Sequence, residues 1–148
     1  MTLLYTMQTK LAMDIAYQAH HGQRDQGGAP YIFHPFHLAE QMETEIEVTA
    51  ALLHDVVEDT GTTIEDLRQA GICEDVLEVL ELLTHRKGEA YMDYIHRLLP
   101  NPTAQKIKLA DLKHNSDGSR LAPGDEDKIR YYRAKYAPAL ALFEQQEG

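Results

Sequence analysis

Apolar residues recur at spacings of three and four along almost the whole chain, and strand-like alternation is nearly absent, so the pattern predicts an all-α protein. Leu4, Met7, Leu11, Ile15 and Ala19 stripe a first helix that Gly22 should end. The segment Gln23 to Pro30 carries no period and reads as a loop. Pro35 suits the first turn of a second helix running to about Glu43, because the N–H that proline lacks would have no partner there. A third helix, Glu45 to Val57, is apolar almost all round in its second half, Ala50-Ala-Leu-Leu-His-Asp-Val-Val57, and must be central. Thr62 and Glu65 fit a capping box that opens a short fourth helix closed by Gly71. Val76, Val79, Leu80 and Leu83 stripe a fifth, and Tyr91, Tyr94, Ile95 and Leu98 a sixth that stops at Pro100. Thr103 to Asn115 reads as a seventh, with Ile107, Ala110 and Leu112 inward. After a polar loop from Ser116 to Asp125, the remainder is an amphipathic helix or a pair broken near Pro138. No repeat, low-complexity tract or linker interrupts the pattern, so we expect one compact bundle of about eight helices forming a single domain over residues 1–148.

A length of 148 residues is enough to bury a real core, and 43% hydrophobic with 26% charged residues fits neither a disordered nor a membrane-spanning chain. No apolar run approaches about 18 residues and the start of the chain lacks signal-peptide character, so the expected location is the cytoplasm. The single Cys73 excludes an internal disulfide and a cysteine-rich zinc site, and it reads as structural. The net charge of −10 opposes non-specific binding to nucleic acid or anionic lipid. The acidity is uneven: residues 1–74 carry 3 basic and 12 acidic side chains, residues 75–148 carry 11 and 12. Cationic help for an anionic ligand must therefore come from the second half or from a metal. Charge does not decide whether two copies pair, and a homo-oligomer stays open.

Four polar residues stand where the pattern asks for apolar ones. His54 and Asp55 interrupt the central helix, Asp111 lies inside Ile107-Lys-Leu-Ala-Asp-Leu112, and His34 sits between bulky neighbours in Tyr31-Ile-Phe-His-Pro35. Burying any of them without a partner costs several kcal/mol, so something must satisfy them. Singly, each is explained by a hydrogen bond to the backbone. Together, imidazoles and carboxylates suit a divalent transition ion, with positions left open for water or substrate. Glu58 and Asp59 follow four residues after His54 and Asp55, on the same helical face, and carboxylates so crowded repel unless a cation or a shared proton sits among them. The plain alternative for Glu58-Asp59 is a solvated helix end before Gly61.

Five segments together carry a family pattern: His20-His-Gly-Gln23, Gly28-Ala-Pro-Tyr-Ile-Phe-His-Pro35, Ala50-Ala-Leu-Leu-His-Asp-Val-Val-Glu-Asp-Thr60, Leu82-Leu-Thr84 followed by Tyr91 and Tyr94, and Lys108-Leu-Ala-Asp-Leu-Lys-His-Asn115. In these the sequence resembles the HD-domain metal phosphohydrolases, and within them the small alarmone hydrolases related to the hydrolase domain of Rel/SpoT enzymes. The resemblance implies a helical HD fold holding one Mn²⁺, or another divalent transition metal, through His34, His54, Asp55 and Asp111. It implies an enzyme that removes pyrophosphate from the 3′ position of (p)ppGpp, leaving GDP or GTP, with Glu58 and Asp59 orienting or activating the attacking water and Asn115 contacting the nucleotide near its ribose. The sequence departs from the family in two places. A basic pair usually follows the Gly-Gln segment, and the matching positions here are Asp25 and Gln26, with Arg24 one place early; where a further arginine commonly follows the asparagine, the chain reads Ser116-Asp117-Gly118-Ser119-Arg120. Arg24, Lys113 and Arg120 are the candidates to replace that clamp.

Among the remaining features, Tyr91 and Tyr94 are placed to stack on a nucleotide or to fill the core, and His20 and His21 to line a pocket or end a helix. His37 and His114 read as supporting or surface groups, and Lys106, Lys108 and Lys113 as a solvated face. The leading expectation is a Mn²⁺-dependent (p)ppGpp 3′-pyrophosphohydrolase that erases the alarmone, since a chain of 148 residues has no room for a synthetase. The lost basic pair motivates a second expectation, the same metal chemistry on another nucleotide phosphate. A third is an alarmone-binding or antitoxin-like protein that does not hydrolyse its ligand.

Overall fold

The computed structural model describes residues 3–121 and 125–147. Among these, nine α-helices and one 3₁₀ turn form and no strand does, as the pattern requires. The central helix is α3 (Glu45–Leu53), in which every residue from Val48 to Leu53 is buried. Around it pack α1 (Met7–Ala19), α2 (Phe33–Glu40), α6 (Glu74–Leu83) and α8 (Pro102–Asn115). Burying the last two turns of α3 on all sides is what its unbroken apolar run demands.

The helix ends follow side-chain chemistry. Thr6 caps α1 and Thr44 caps α3, each in a reciprocal box with the residue three positions on. Glu47, the box partner in α3, also accepts from Lys106 of α8 at 3.1 Å, tying the start of α3 to its neighbour. The short α5 (Ile64–Ala70) is capped by Thr63 with Asp66, one residue later than the Thr62–Glu65 box expected from sequence. Gly71 closes it at φ 111°, a conformation that side chains disfavour.

Two helix boundaries differ from expectation, and at Pro138 the single-helix alternative is the one that forms. The second helix spans 33–40 in place of 35 to about 43, which puts His34 and Pro35 together in its first turn. The third does not run through to Val57. It stops at Leu53, turns at His54-Asp55, and resumes as the single-turn α4 (Val56–Asp59). The cause is visible at His54, whose Nδ1–H donates to the Ala51 carbonyl at 2.7 Å, drawing that acceptor out of the helical ladder. Finally, α9 (Glu126–Glu147) continues through Pro138 without a break, held beyond the proline by fully buried Ala139 and Phe143. The remaining helix, α7 (Tyr91–Leu98), packs on α6. Of the polar loop expected over 116–125, Gly118–Arg120 form the 3₁₀ turn and residues 122–124 lie outside the described residues. No described helix is long and apolar enough to cross a membrane.

Leu53 is fully buried as the last residue of α3, next to the His54 turn. Leu53→Ala is expected to cost about 2–5 kcal/mol of stability, read as a fall in the urea midpoint with unchanged slope.

Candidate metal centre and its two cavities

Three separate stretches deliver the four polar residues to one point. The first turn of α2 brings His34, the α3–α4 turn brings His54 and Asp55, and the third turn of α8 brings Asp111. Their ligating atoms all lie within 4.8 Å of one another, and His34, His54 and Asp111 are buried. His34 Nε2 stands 2.8 Å from Asp111 Oδ1 and 3.7 Å from Asp55 Oδ2. His54 Nε2 is 2.9 Å from Asp55 Oδ2 and 3.5 Å from Asp111 Oδ1, yet it is buried without an aligned hydrogen-bond partner. Two imidazole nitrogens, one of them orphaned, and two carboxylates converging at one point fit a divalent transition ion, so these residues could hold one. Burial opposes charge on His54, but Asp55 and Asp111 prevail and lift its pKa well above the ordinary histidine value.

The groups behind the quartet orient it. Asp111 Oδ2 accepts from Lys108 Nζ at 2.9 Å and Oδ1 from Asn115 Nδ2 at 3.0 Å. Burial pushes the Asp111 carboxyl up, and Lys108 with the two histidines more than reverses this, so its pKa falls well below the usual range. His34 Nδ1 and His114 Nδ1 lie 2.7 Å apart, and His114 stacks in turn on His37. Burial, then Arg120, push the His114 pKa down to about 3, which keeps that ring neutral and able to accept the His34 N–H. The Tyr31 hydroxyl donates to Asp55 Oδ2.

Asp55 and Asp111 of the quartet line a cavity of about 380 Å³, which Glu58, Asp59, Lys108 and Tyr91 line with them. Asp55, Glu58 and Asp59 place carboxylate oxygens within 4.8 Å of one another. Because the helix breaks at His54, these two acids gather beside Asp55, and His54 is not part of their group. Glu58 is fixed by the His85 backbone N–H at 2.9 Å. Partial burial, then Asp55 and Glu58, push the Asp59 carboxyl up to about 6. A second cavity of about 320 Å³ adjoins the first through Tyr31, Asn115, Lys135 and Tyr136, and Arg24, Asp25, Arg120 and Tyr132 wall it.

Of the residues singled out from sequence, the structure brings His34, His54, Asp55 and Asp111 into one cluster, Glu58, Asp59, Tyr91 and Asn115 to the first cavity beside the two aspartates, and Arg24 and Arg120 to the second. Lys113 is exposed on α8 and lines neither cavity, so the structure does not bring it to the others. Lys108, read as part of a solvated face, is buried against Asp111; the signal for it was its position three residues earlier on the same helix, which shares a face. Tyr94 is core, donating its hydroxyl to the Leu83 carbonyl at 2.6 Å. Lys135 and Tyr136 reach the cavities from α9 by tertiary packing, and no local motif announced them.

Helical layers enclosing a buried His/His-Asp/Asp quartet define the HD class. The chain matches the HD domain family over residues 12–110, and it belongs to that family. Within the family it sides with the Rel/SpoT hydrolase domains. It is 35% identical over 127 residues to the probable GTP pyrophosphokinase of Mycobacterium leprae and 36% identical over 115 residues to the bifunctional (p)ppGpp synthase/hydrolase SpoT of Escherichia coli K12, covering 78% and 68% of this chain. The chain spans about one sixth of those proteins, 16% in each case. It is also 36% identical over 136 residues to the mouse guanosine-3′,5′-bis(diphosphate) 3′-pyrophosphohydrolase MESH1, covering 82% of this chain and 76% of that one. A solved metazoan orthologue of SpoT, described as hydrolysing ppGpp, superposes with a TM-score of 0.69 at 21% identity over 99% of both chains, and it shares the fold.

Two outcomes are expected. A divalent transition ion raises the melting temperature of the native protein and leaves that of Asp55→Ala unmoved, read by differential scanning fluorimetry. In Gly27→Ala the new Cβ would lie 1.6 Å from the Arg120 carbonyl oxygen, so the 23–30 loop and the 3₁₀ turn must separate, read as faster amide exchange in both segments.

Proposed function

We propose that this chain is a Mn²⁺-dependent, cytoplasmic guanosine-3′,5′-bis(diphosphate) 3′-pyrophosphohydrolase, converting (p)ppGpp and water to GDP or GTP and pyrophosphate. One observation carries the reading: His34, His54, Asp55 and Asp111 cluster where the two aspartates meet a cavity lined also by Glu58, Asp59 and Lys108, in a chain 36% identical to MESH1. The mixed imidazole and carboxylate donors suit a divalent transition ion, and Mn²⁺ is the one that the family resemblance implies.

A bound ion would polarise a water and offset phosphate charge. The chain's own residues do the rest. Lys108 and Asn115 hold Asp111 in place, and His114 holds the His34 ring through its Nδ1. Glu58, anchored by the His85 N–H, orients the attacking water. Asp59, titrating at about 6, moves the proton between that water and the 3′ oxygen as its bond to phosphorus breaks. Asn115 and Tyr31 reach the ribose side, where the two cavities meet.

Asp25 and Gln26, standing where the family has a basic pair, favour as a second reading the same reaction class on another nucleotide phosphate.

The test incubates the purified protein with ppGpp and Mn²⁺ and measures GDP and pyrophosphate by chromatography. Turnover is expected, with none from Asp55→Ala. Glu58→Gln and Asp59→Asn should each lower kcat by about 10²–10³-fold. Undiminished turnover by Asp55→Ala would remove the assigned site, and a strong preference for a non-guanine nucleotide in a substrate panel would establish the second reading.

A further inference from the structure

The outer cavity carries an ion pair in its wall. Arg120 Nη2 donates to Asp25 Oδ2 at 3.1 Å, and its Nη1 donates to the His114 carbonyl at 2.8 Å and to Asn115 Oδ1 at 3.3 Å. The guanidinium is thus both aimed and neutralised before any ligand arrives. Asp25 has a second duty, because its Oδ1 accepts from the Gly27 and Ala29 N–H groups at 2.9 Å each and so shapes the 23–30 loop. The pair is largely shielded, with side-chain exposures of 19% and 13%, so water screens it little. The other charges facing this cavity are Arg24, which is exposed and donates to the Gly28 carbonyl, Asp117, which is occupied by Ser119, and Lys135. Lys135 lines both cavities and has no carboxylate partner among the described residues, which leaves it available to a phosphate lying across the junction. The rest of the outer wall includes three aromatic rings, Tyr31, Tyr132 and Tyr136.

The geometry points to Asp25 as a specificity-determining residue that cancels the charge of Arg120, so that the outer cavity takes the nucleoside end of the ligand and gains little at Arg120 from a 5′ phosphate on it. This rests on the nucleotide reading above and adds to it that (p)ppGpp is held by its nucleoside and its 3′ end, its 5′ phosphates contributing little at this wall. The cause is electrostatic. A phosphate bound at Arg120 must share that cation with the half-buried Asp25 carboxylate 3.1 Å from it, and the repulsion offsets the attraction. An asparagine at position 25 keeps the Oδ1 acceptor that shapes the loop and removes only the charge, while the His114 carbonyl still holds the guanidinium in place.

The test measures calorimetric affinities for guanosine 3′-monophosphate and guanosine 3′,5′-bisphosphate, neither of which carries a pyrophosphate to hydrolyse. In the native protein the two are expected to bind within about twofold of each other. Asp25→Asn should shift the ratio about tenfold toward the bisphosphate, and Asp25→Asn/Arg120→Gln should return it. Arg120→Gln alone should leave the ratio where the native protein has it. An unchanged ratio in Asp25→Asn, a native preference for the bisphosphate of about tenfold or more, a tenfold loss of that preference in Arg120→Gln, or failure of the native protein to bind either nucleotide would each overturn the inference. If the ratio shifts as stated while the protein turns over no ppGpp, the proposed reaction falls and this inference stands. Turnover of ppGpp with an unmoved ratio is the converse.

Discussion

Two carboxylates and two imidazoles gathered inside hydrocarbon form the constraint around which this protein is organised. Removing charged and polar groups from water is unfavourable unless each finds a partner, and the surrounding helices are arranged to supply those partners. Helix α8 contributes Asp111 together with Lys108 and Asn115, both of which bond to it. Helix α2 begins early enough to put His34 in its first turn. Helix α3 gives up its last turn, because the His54 ring can present Nε2 to the cluster only by tying Nδ1 to the Ala51 carbonyl. The apolar core fixes where these helices lie, and the quartet fixes where they end or bend.

Much of this was legible in the sequence, for a physical reason. A histidine or aspartate inside an apolar period stands out against it, so His34, His54, Asp55 and Asp111 could be picked out one by one before their convergence was visible. Glu58 and Asp59 were legible through helical spacing, although the break at His54 regrouped them about Asp55 alone. Lys108 was misread because lysine in an amphipathic helix is ordinarily solvated, and only the three-residue interval to Asp111 hinted otherwise. The contribution of α9 was not legible at all: Lys135 and Tyr136 lie in a polar helix whose docking is decided by Ala139 and Phe143 farther along. The Thr63 cap and the passage through Pro138 show the same limit, since neighbouring candidates of nearly equal local merit are separated by tertiary contacts.

The two cavities divide the chemistry. The inner one is rich in acids, with Lys108 buried among them, and suits a reaction in which protons and phosphate charge must be managed. The outer one is lined by tyrosines and by an arginine already paired with Asp25, and suits recognition. The Gly27 backbone, packed against the Arg120 carbonyl, keeps the recognition loop and the 3₁₀ turn in register with each other.

Tyr31 belongs to both compartments: its ring lines each cavity, and its hydroxyl bonds to Asp55. A residue with that placement is pleiotropic. Any replacement that retunes which molecule is admitted also disturbs a carboxylate of the quartet, so selectivity and reactivity cannot drift independently at this position, and lineages exploring new ligands are steered toward the loop residues around it instead.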